Sequence, residues 1–122
     1  MVTFPSPVQV TLPSYPATIT LEIDLSPEGM IATVDIERLA SGTFIPTPVN
    51  FGNNFIDGKI TFEDIAVNKG DMIMATTRVT SIITGDQSVT VDHIINTNPP
   101  QTLSATLGTG SAEKFYAEFL FS

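Results

Sequence analysis

The chain has 122 residues, no cysteine and a formal net charge of −8, from thirteen acidic and five basic side chains. This length suits one domain with a single core, and the lack of cysteine excludes disulfides and thiolate chemistry. The basic residues are isolated along the sequence, which argues against nucleic acid as a partner. We also expect no membrane insertion, because no apolar run approaches the roughly 20 residues that span a bilayer.

The first sixteen residues contain four prolines around one short alternating apolar segment. Proline has no backbone donor and is confined to sheet edges or extended segments. We therefore predict an extended N-terminal arm over residues 1–16, with an edge strand near residues 8–12, and a single domain over residues 17–122. An ordinary first strand of the domain's own sheet fits the same pattern, and both interpretations stay open.

Residues 18–25 and 30–38 alternate strictly between apolar and polar side chains, as strands with one solvated face do. The segment between them, Ser26-Pro27-Glu28-Gly29, has the composition of a type I turn. We therefore predict that the two strands form an antiparallel hairpin. Its solvated face then groups four acidic side chains, namely Glu22, Asp24, Asp35 and Glu37. We favour a solvated acidic face over a calcium site there, because calcium usually draws its ligands from a loop that wraps it.

The rest of the chain continues as alternating segments separated by Gly, Pro and Asn. Residues 39–58 are irregular, with a short strand near residues 43–45. Residues 111–119 have a composition compatible with a helix, but their apolar side chains alternate, which favours a strand. Further strands are predicted within residues 59–63, 72–83, 89–95 and 103–107. Seven to nine strands indicate an all-β protein with an antiparallel β-sandwich, and jelly-roll connections are one arrangement open to it.

The sequence has one histidine, His93, which shares the apolar face of its strand with Val89, Val91 and Ile95. Asp92 points to the opposite face, so it cannot orient the imidazole for acid–base catalysis. We predict a core histidine bonded to the backbone. No nucleophile elbow is present either, and we expect no enzyme activity and no catalytic residues.

A second candidate site is the loop that holds Asn50, Asn53, Asn54 and Asp57, with two phenylalanines between them. Oxygen-bearing side chains beside aromatic rings can hold a carbohydrate or calcium, although Asn and Asp are also common turn residues. The alternative to a structural role is therefore a carbohydrate- or calcium-binding module that uses this loop. We otherwise expect no cofactor and no metal.

The arm suggests how copies of the protein could associate. Val8, Val10 and Leu12 form an alternating apolar set, and the chain has no charged side chain before Glu22. Such an arm can add a strand to the open sheet edge of a neighbour. We therefore expect a structural subunit that self-associates, in an extracellular fibre, a surface layer or a virion-type assembly. The N-terminus lacks the pattern of a signal peptide, so we expect export by another route or after removal of a signal.

Overall fold

The computed structural model of the chain describes residues 1–27, 30–40, 43–44, 47–52 and 58–122, with backbone pairing alone for residues 40–52. Among these residues no helix has the length and apolarity of a membrane span. The described residues form eleven strand segments: β1 (Val2–Thr3), β2 (Val8–Val10), β3 (Ala17–Ser26), β4 (Met30–Ala40), β5 (Thr43–Phe44), β6 (Thr47–Gly52), β7 (Lys59–Val67), β8 (Met72–Ser81), β9 (Gln87–Ile95), β10 (Gln101–Leu107) and β11 (Ala112–Phe121).

The strands form two packed sheets. The seven-stranded sheet has the order β1-β11-β8-β4-β5, with β2 beside β11 and β6 beside β4, and the four-stranded sheet has the order β10-β9-β3-β7. The long strands pair antiparallel, which confirms the antiparallel β-sandwich. Nine of the described segments are longer than two residues, at the upper end of the predicted range. Jelly-roll connections are not confirmed.

The core lies between the two sheets and consists of the inward side chains that the alternation predicts. On β3 these are Ile19, Leu21, Ile23 and Leu25, and each is at most 4% exposed. The aromatic residues of β11, Phe115, Phe119 and Phe121, are fully buried opposite them. Burying one such side chain stabilises the fold by about 1.5–3 kcal/mol, so the alternating strands define the core without any disulfide.

The predicted hairpin of residues 18–25 and 30–38 is wrong. β3 pairs with β7 and β9 in one sheet, whereas β4 pairs with β5, β6 and β8 in the other. β3 and β4 therefore belong to different sheets, and the chain makes a crossover from one sheet to the other between them. Both arrangements bury the same apolar faces, because those faces can lie side by side in one sheet or meet across the sandwich.

This crossover also separates the four acidic side chains that the hairpin would group. Glu22 and Asp24 lie on the outer face of the four-stranded sheet, and Asp35 and Glu37 lie on the outer face of the seven-stranded sheet. The expectation of one four-acid face is therefore wrong.

The structure also corrects the prediction that residues 39–58 are irregular apart from one short strand. The short strand predicted near residues 43–45 is present as β5, but β6 was not predicted. Pro48 lies within β6 and pairs with Asp35 of β4. A proline is tolerated there because β6 is an edge strand of its sheet. The strand that we favoured over a helix near the C-terminus is confirmed as β11.

Candidate functional site: the N-terminal arm on the C-terminal strand

The N-terminal arm, residues 1–16, lies along the edge of β11. β1 pairs parallel with Phe115 and Tyr116, and β2 pairs parallel with residues 119–121. Pro5 and Pro7 lie between the two short strands, where they interrupt the ladder because proline donates no hydrogen bond. The arm thus covers the β11 edge with two separate short strands.

Side chains of the arm also join the core. Val10 is 7% exposed, and Val8 and Leu12 are half-buried against the core cluster. Val8 and Val10 lie inward because they pair with Phe119 and Phe121. The predicted alternating set of Val8, Val10 and Leu12 therefore contacts the sandwich of its own chain in this structure.

Polar contacts fix the arm at both of its ends. The N-terminal amine lies 3.0 Å from the Glu113 carboxylate. At the other end, the backbone N–H of Ser122 donates to the Val10 carbonyl at 3.0 Å, and the Tyr15 hydroxyl donates to the Ser122 carbonyl at 3.2 Å. The amine also contributes to a lowered pKa of Glu113, after the larger effect of the Lys114 backbone N–H. These contacts hold the first residue of the arm at Glu113 and its later residues, Val10 and Tyr15, at Ser122.

His93 lies directly beneath the arm. It is fully buried, and its Nδ1 lies 3.1 Å from the Gln101 carbonyl, as expected for a core histidine bonded to the backbone. Phe4 of the arm meets the imidazole edge-on with ring centroids 6.2 Å apart, and Phe119 packs against it at 5.8 Å. The arm therefore seals this histidine from solvent.

The second nitrogen of His93 is unusual. Nε2 is buried and has no hydrogen-bond partner among the described residues. A cavity of about 110 Å³ separates residues 8–11 of the arm from His93 and Ile95. Burial lowers the pKa of His93, and the weaker effects of the Gln101 carbonyl and Asp92 oppose it. The imidazole is thus held neutral in an apolar setting that charging would destabilise.

The two uncharged stretches of the sequence meet at this edge. Residues 1–21 and 94–112 contain no charged side chain. The first stretch includes the arm at the edge of the seven-stranded sheet, and the second includes β10 at the edge of the four-stranded sheet. β1 and β10 are in contact. The two segments that form this edge, the arm and β10, therefore have no charged side chain of their own.

Sequence analysis missed two residues of this site. Phe4 directly precedes Pro5 and lies outside any alternating segment, so its contact with His93 had no signal in the sequence. Phe119 was assigned to an apolar face, but only the packing of the two sheets brings it against the histidine.

The alternative ligand loop is not tested by the structure. Asn53, Asn54 and Asp57 lie outside the described residues, and Asn50 is described only by its backbone pairing with Thr33 in β4. In the described part of the chain, no three acidic or histidine side chains are grouped so that they could hold a metal ion.

Comparison of the chain with known proteins identifies no relative. No protein-family model, curated protein or solved structure shows a significant match to this chain. The geometry of the arm and the sandwich therefore carries the functional argument.

Proposed function

We propose that the protein is a non-catalytic structural subunit that associates with copies of itself by exchanging its N-terminal arm. The observation that carries the proposal is the position of the arm. Its backbone pairings in the described residues are all with β11. Within the arm, residues 11–16 connect β2 to β3, so one short segment separates the two strands that pair with β11 from the rest of the sandwich.

An exchanged arm makes the same contacts on a neighbour that it makes in its own chain. Domain swapping is a low-cost route to association for this reason. Pro13 and Pro16 restrict the backbone of the connecting segment. Removal of the arm would leave the β11 edge and the ring of His93 uncovered, so an empty site has a strong tendency to be refilled.

The uncharged edge supports the same proposal. When two copies meet along the arm and β10, no charged side chain of these segments has to be desolvated. Natural edge strands are commonly protected by lysine, proline or a bulge. β10 has none of these, and it pairs with β9 in unbroken register.

The burial of His93 supports the non-catalytic part of the proposal. This residue is the one histidine of the chain, and the arm and β11 enclose it completely. A substrate would reach the imidazole only after the arm had left. By class, the assembly we propose is an extracellular fibre, a surface layer or a virion shell.

The first test locks the arm onto its own chain. Gln9 and Leu120 are directly paired on neighbouring strands, whose spacing of roughly 4.8 Å suits a disulfide. The natural chain has no cysteine, so Gln9→Cys with Leu120→Cys forms a single defined bond. We expect wild type to form oligomers with rising concentration in sedimentation velocity, the oxidised variant to stay monomeric, and reduction to restore assembly.

A control disulfide of the same kind joins Thr80→Cys to Ala112→Cys, which pair β8 with β11 outside the β11 residues that pair with β1 and β2. We expect this variant to assemble as wild type does. Assembly of the oxidised arm-locked variant, or a monomeric wild type at the highest soluble concentration, would refute arm exchange.

A second experiment shows the exchange directly. Molecules that carry only Gln9→Cys are mixed with isotope-labelled molecules that carry only Leu120→Cys, and the mixture is oxidised. We expect a mixed disulfide dimer, identified by its mass. Its absence, in a mixture that still assembles, would mean that the copies associate through another surface.

A further inference from the structure

A charged residue occupies an inward position at one end of the sandwich. β4 buries Ala32, Val34 and Ile36 at alternate positions, and Arg38 continues the same series. Its direct partner on β8 is Ile73, a fully buried core residue. The backbone register therefore directs the Arg38 side chain toward the space between the sheets.

A cavity of about 350 Å³ opens beside this arginine. Ile36 and Ile73 line it from the seven-stranded sheet, and Phe62 and Ile65 line it from the four-stranded sheet. Its walls are mostly apolar, and its volume lies at the lower end of the range of small-molecule sites, roughly 300–1,000 Å³.

An irregularity in β7 shapes the cavity. Phe62 and Ile65 are three residues apart, so simple alternation would place them on opposite faces of the sheet. The register of β7 against β3 shifts between them, and Asp64 has a positive φ of 56°. This bulge turns both apolar side chains toward the cavity and leaves Glu63 and Asp64 exposed at its rim.

The Arg38 guanidinium uses only part of its hydrogen-bond donors in the described part of the chain. Nη1 donates to the Ala66 carbonyl at 2.5 Å, a bond that joins the two sheets. Nε is buried and has no hydrogen-bond partner in the described part of the chain. Three ion pairs form among the described residues, and none involves Arg38. A guanidinium with five donors and no carboxylate partner favours an anion.

We propose that this cavity binds a small monocarboxylate with an apolar tail, with the carboxylate on Arg38 and the tail between Ile36, Phe62, Ile65 and Ile73. A charge-assisted hydrogen bond fixes the head of such a ligand, and burial of its tail supplies the remaining affinity. This binding site is independent of the proposed arm exchange.

The surroundings restrict the charge of the ligand. Glu63 and Asp64 stand at the rim, and the whole chain carries a net charge of −8. Both side chains are exposed, so at physiological salt their effect is screened beyond about 8 Å. The negative charges of the protein repel a ligand with one negative charge only weakly. They would repel a phosphate dianion about twice as strongly.

The test uses octanoate as the probe and two ligands with the same tail but a different head, octanol and octylammonium. We expect octanoate to raise the melting temperature and to bind at least about tenfold more tightly than octanol in calorimetry. In the NMR spectrum of wild type, we expect octanoate to shift the Nε–H resonance of Arg38 and the side-chain resonances of Phe62 and Ile65.

A substitution of Arg38 then tests whether its positive charge binds the carboxylate of the ligand. We expect Arg38→Gln to weaken octanoate binding by about tenfold and to leave octanol binding unchanged. Arg78→Gln is the matched control, because Arg78 lies exposed on the outer face and pairs with Asp35; it should bind octanoate as wild type does. Equal affinity for octanoate and octanol, or no binding of octanoate, would overturn the proposal. If Arg38→Gln does not fold, the wild-type spectrum decides, and resonance shifts that spare Arg38 and Phe62 would equally overturn it.

Discussion

His93 combines complete burial with an unused nitrogen. The side chains beside its ring include Phe4 from the arm, Phe119 from β11 and Ile23 across the sheet on β3, and none of these can carry a charge. Asp92 is on the opposite face of the same strand, where it accepts a hydrogen bond from Thr102. Among the described residues, a proton on Nε2 would therefore meet no counter-charge on the inner side of the sheet.

The stability of the protein should accordingly depend on pH through this residue. Burial lowers the pKa of His93 in the folded state, so below pH about 6.5 the unfolded chain binds a proton that the folded chain does not. The free energy of unfolding then falls by up to about 1.4 kcal/mol per pH unit until the folded-state pKa is reached. Urea unfolding between pH 7.5 and 5.0 measures this slope.

The matched variant is His93→Gln, whose amide can still bond the Gln101 carbonyl but does not titrate. We expect it to lose stability less steeply than wild type below pH 6.5. Identical slopes in the two proteins would show that His93 does not set the acid sensitivity. All other titratable groups are shared, so the difference between the two curves isolates the histidine.

Among the elements, β10 is the strand most relevant to the proposed assembly. It closes the four-stranded sheet beside the arm, and its outward side chains, Thr102, Ser104 and Thr106, are small, polar and exposed. An uncharged edge strand of seven residues is a ready template for another chain. Because β10 lies beside the arm, its uncharged edge and the arm form one surface.

A lysine on this strand should prevent copies from meeting. We expect Ser104→Lys to weaken self-association by about tenfold, because the ammonium group would have to be desolvated at the contact. The substitution lies on an exposed surface, so the free energy of unfolding should change by less than about 0.5 kcal/mol. Sedimentation velocity and urea unfolding measure the two effects.

The control for this substitution is Thr61→Lys on β7, an exposed position on the opposite edge strand of the same sheet. It should assemble as wild type does. If Thr61→Lys blocks assembly and Ser104→Lys does not, the contact surface lies at the β7 edge instead.

At the scale of the whole molecule, the crossover between sheets distributes the negative charge over two opposite outer faces. On the seven-stranded sheet, Arg78 forms an ion pair with Asp35. On the four-stranded sheet, Asp24 lies directly across from Asp92 in the register, and Lys59 pairs with Glu22. Burial raises the pKa of Asp24 to about 6, and the neighbouring Glu22 carboxyl acts in the same direction.

A neutral residue at position 24 should therefore stabilise the protein near neutral pH. A carboxyl whose folded pKa is raised stabilises the fold at low pH, and that contribution is lost as the pH rises from about 4 through about 6. We expect Asp24→Asn to exceed wild type by about 0.5–1 kcal/mol at pH 7.5, since partial exposure screens the repulsion. The gain should shrink towards pH 4, as urea unfolding at the two pH values would show.

Asp35→Asn provides the comparison on the other face. It removes one partner of an exposed ion pair, so it should lower stability by up to about 1 kcal/mol at pH 7.5. A loss of stability in Asp24→Asn at this pH would contradict the account of the acidic face.

Which side chains point inward was predictable from the sequence. The alternation in β3, β9 and β11 placed Ile23, His93 and Phe119 on buried faces, and the structure agrees. This information is local, because successive residues of a strand point to opposite sides whatever the partner strand is.

Only the tertiary structure decided which strands pair and which side chains come together around His93 and at the cavity beside Arg38. The backbone hydrogen bonds of a ladder are the same for every residue type except proline, so alternation could not tell whether β3 and β4 lie side by side or face each other. The bulge that turns both Phe62 and Ile65 inward, and the contact of Phe4 with His93, likewise arise from packing between segments distant in sequence. The sequence alone thus determined an all-β chain with one defined core, and the packing of its two sheets placed the arm on β11 and Arg38 beside its cavity.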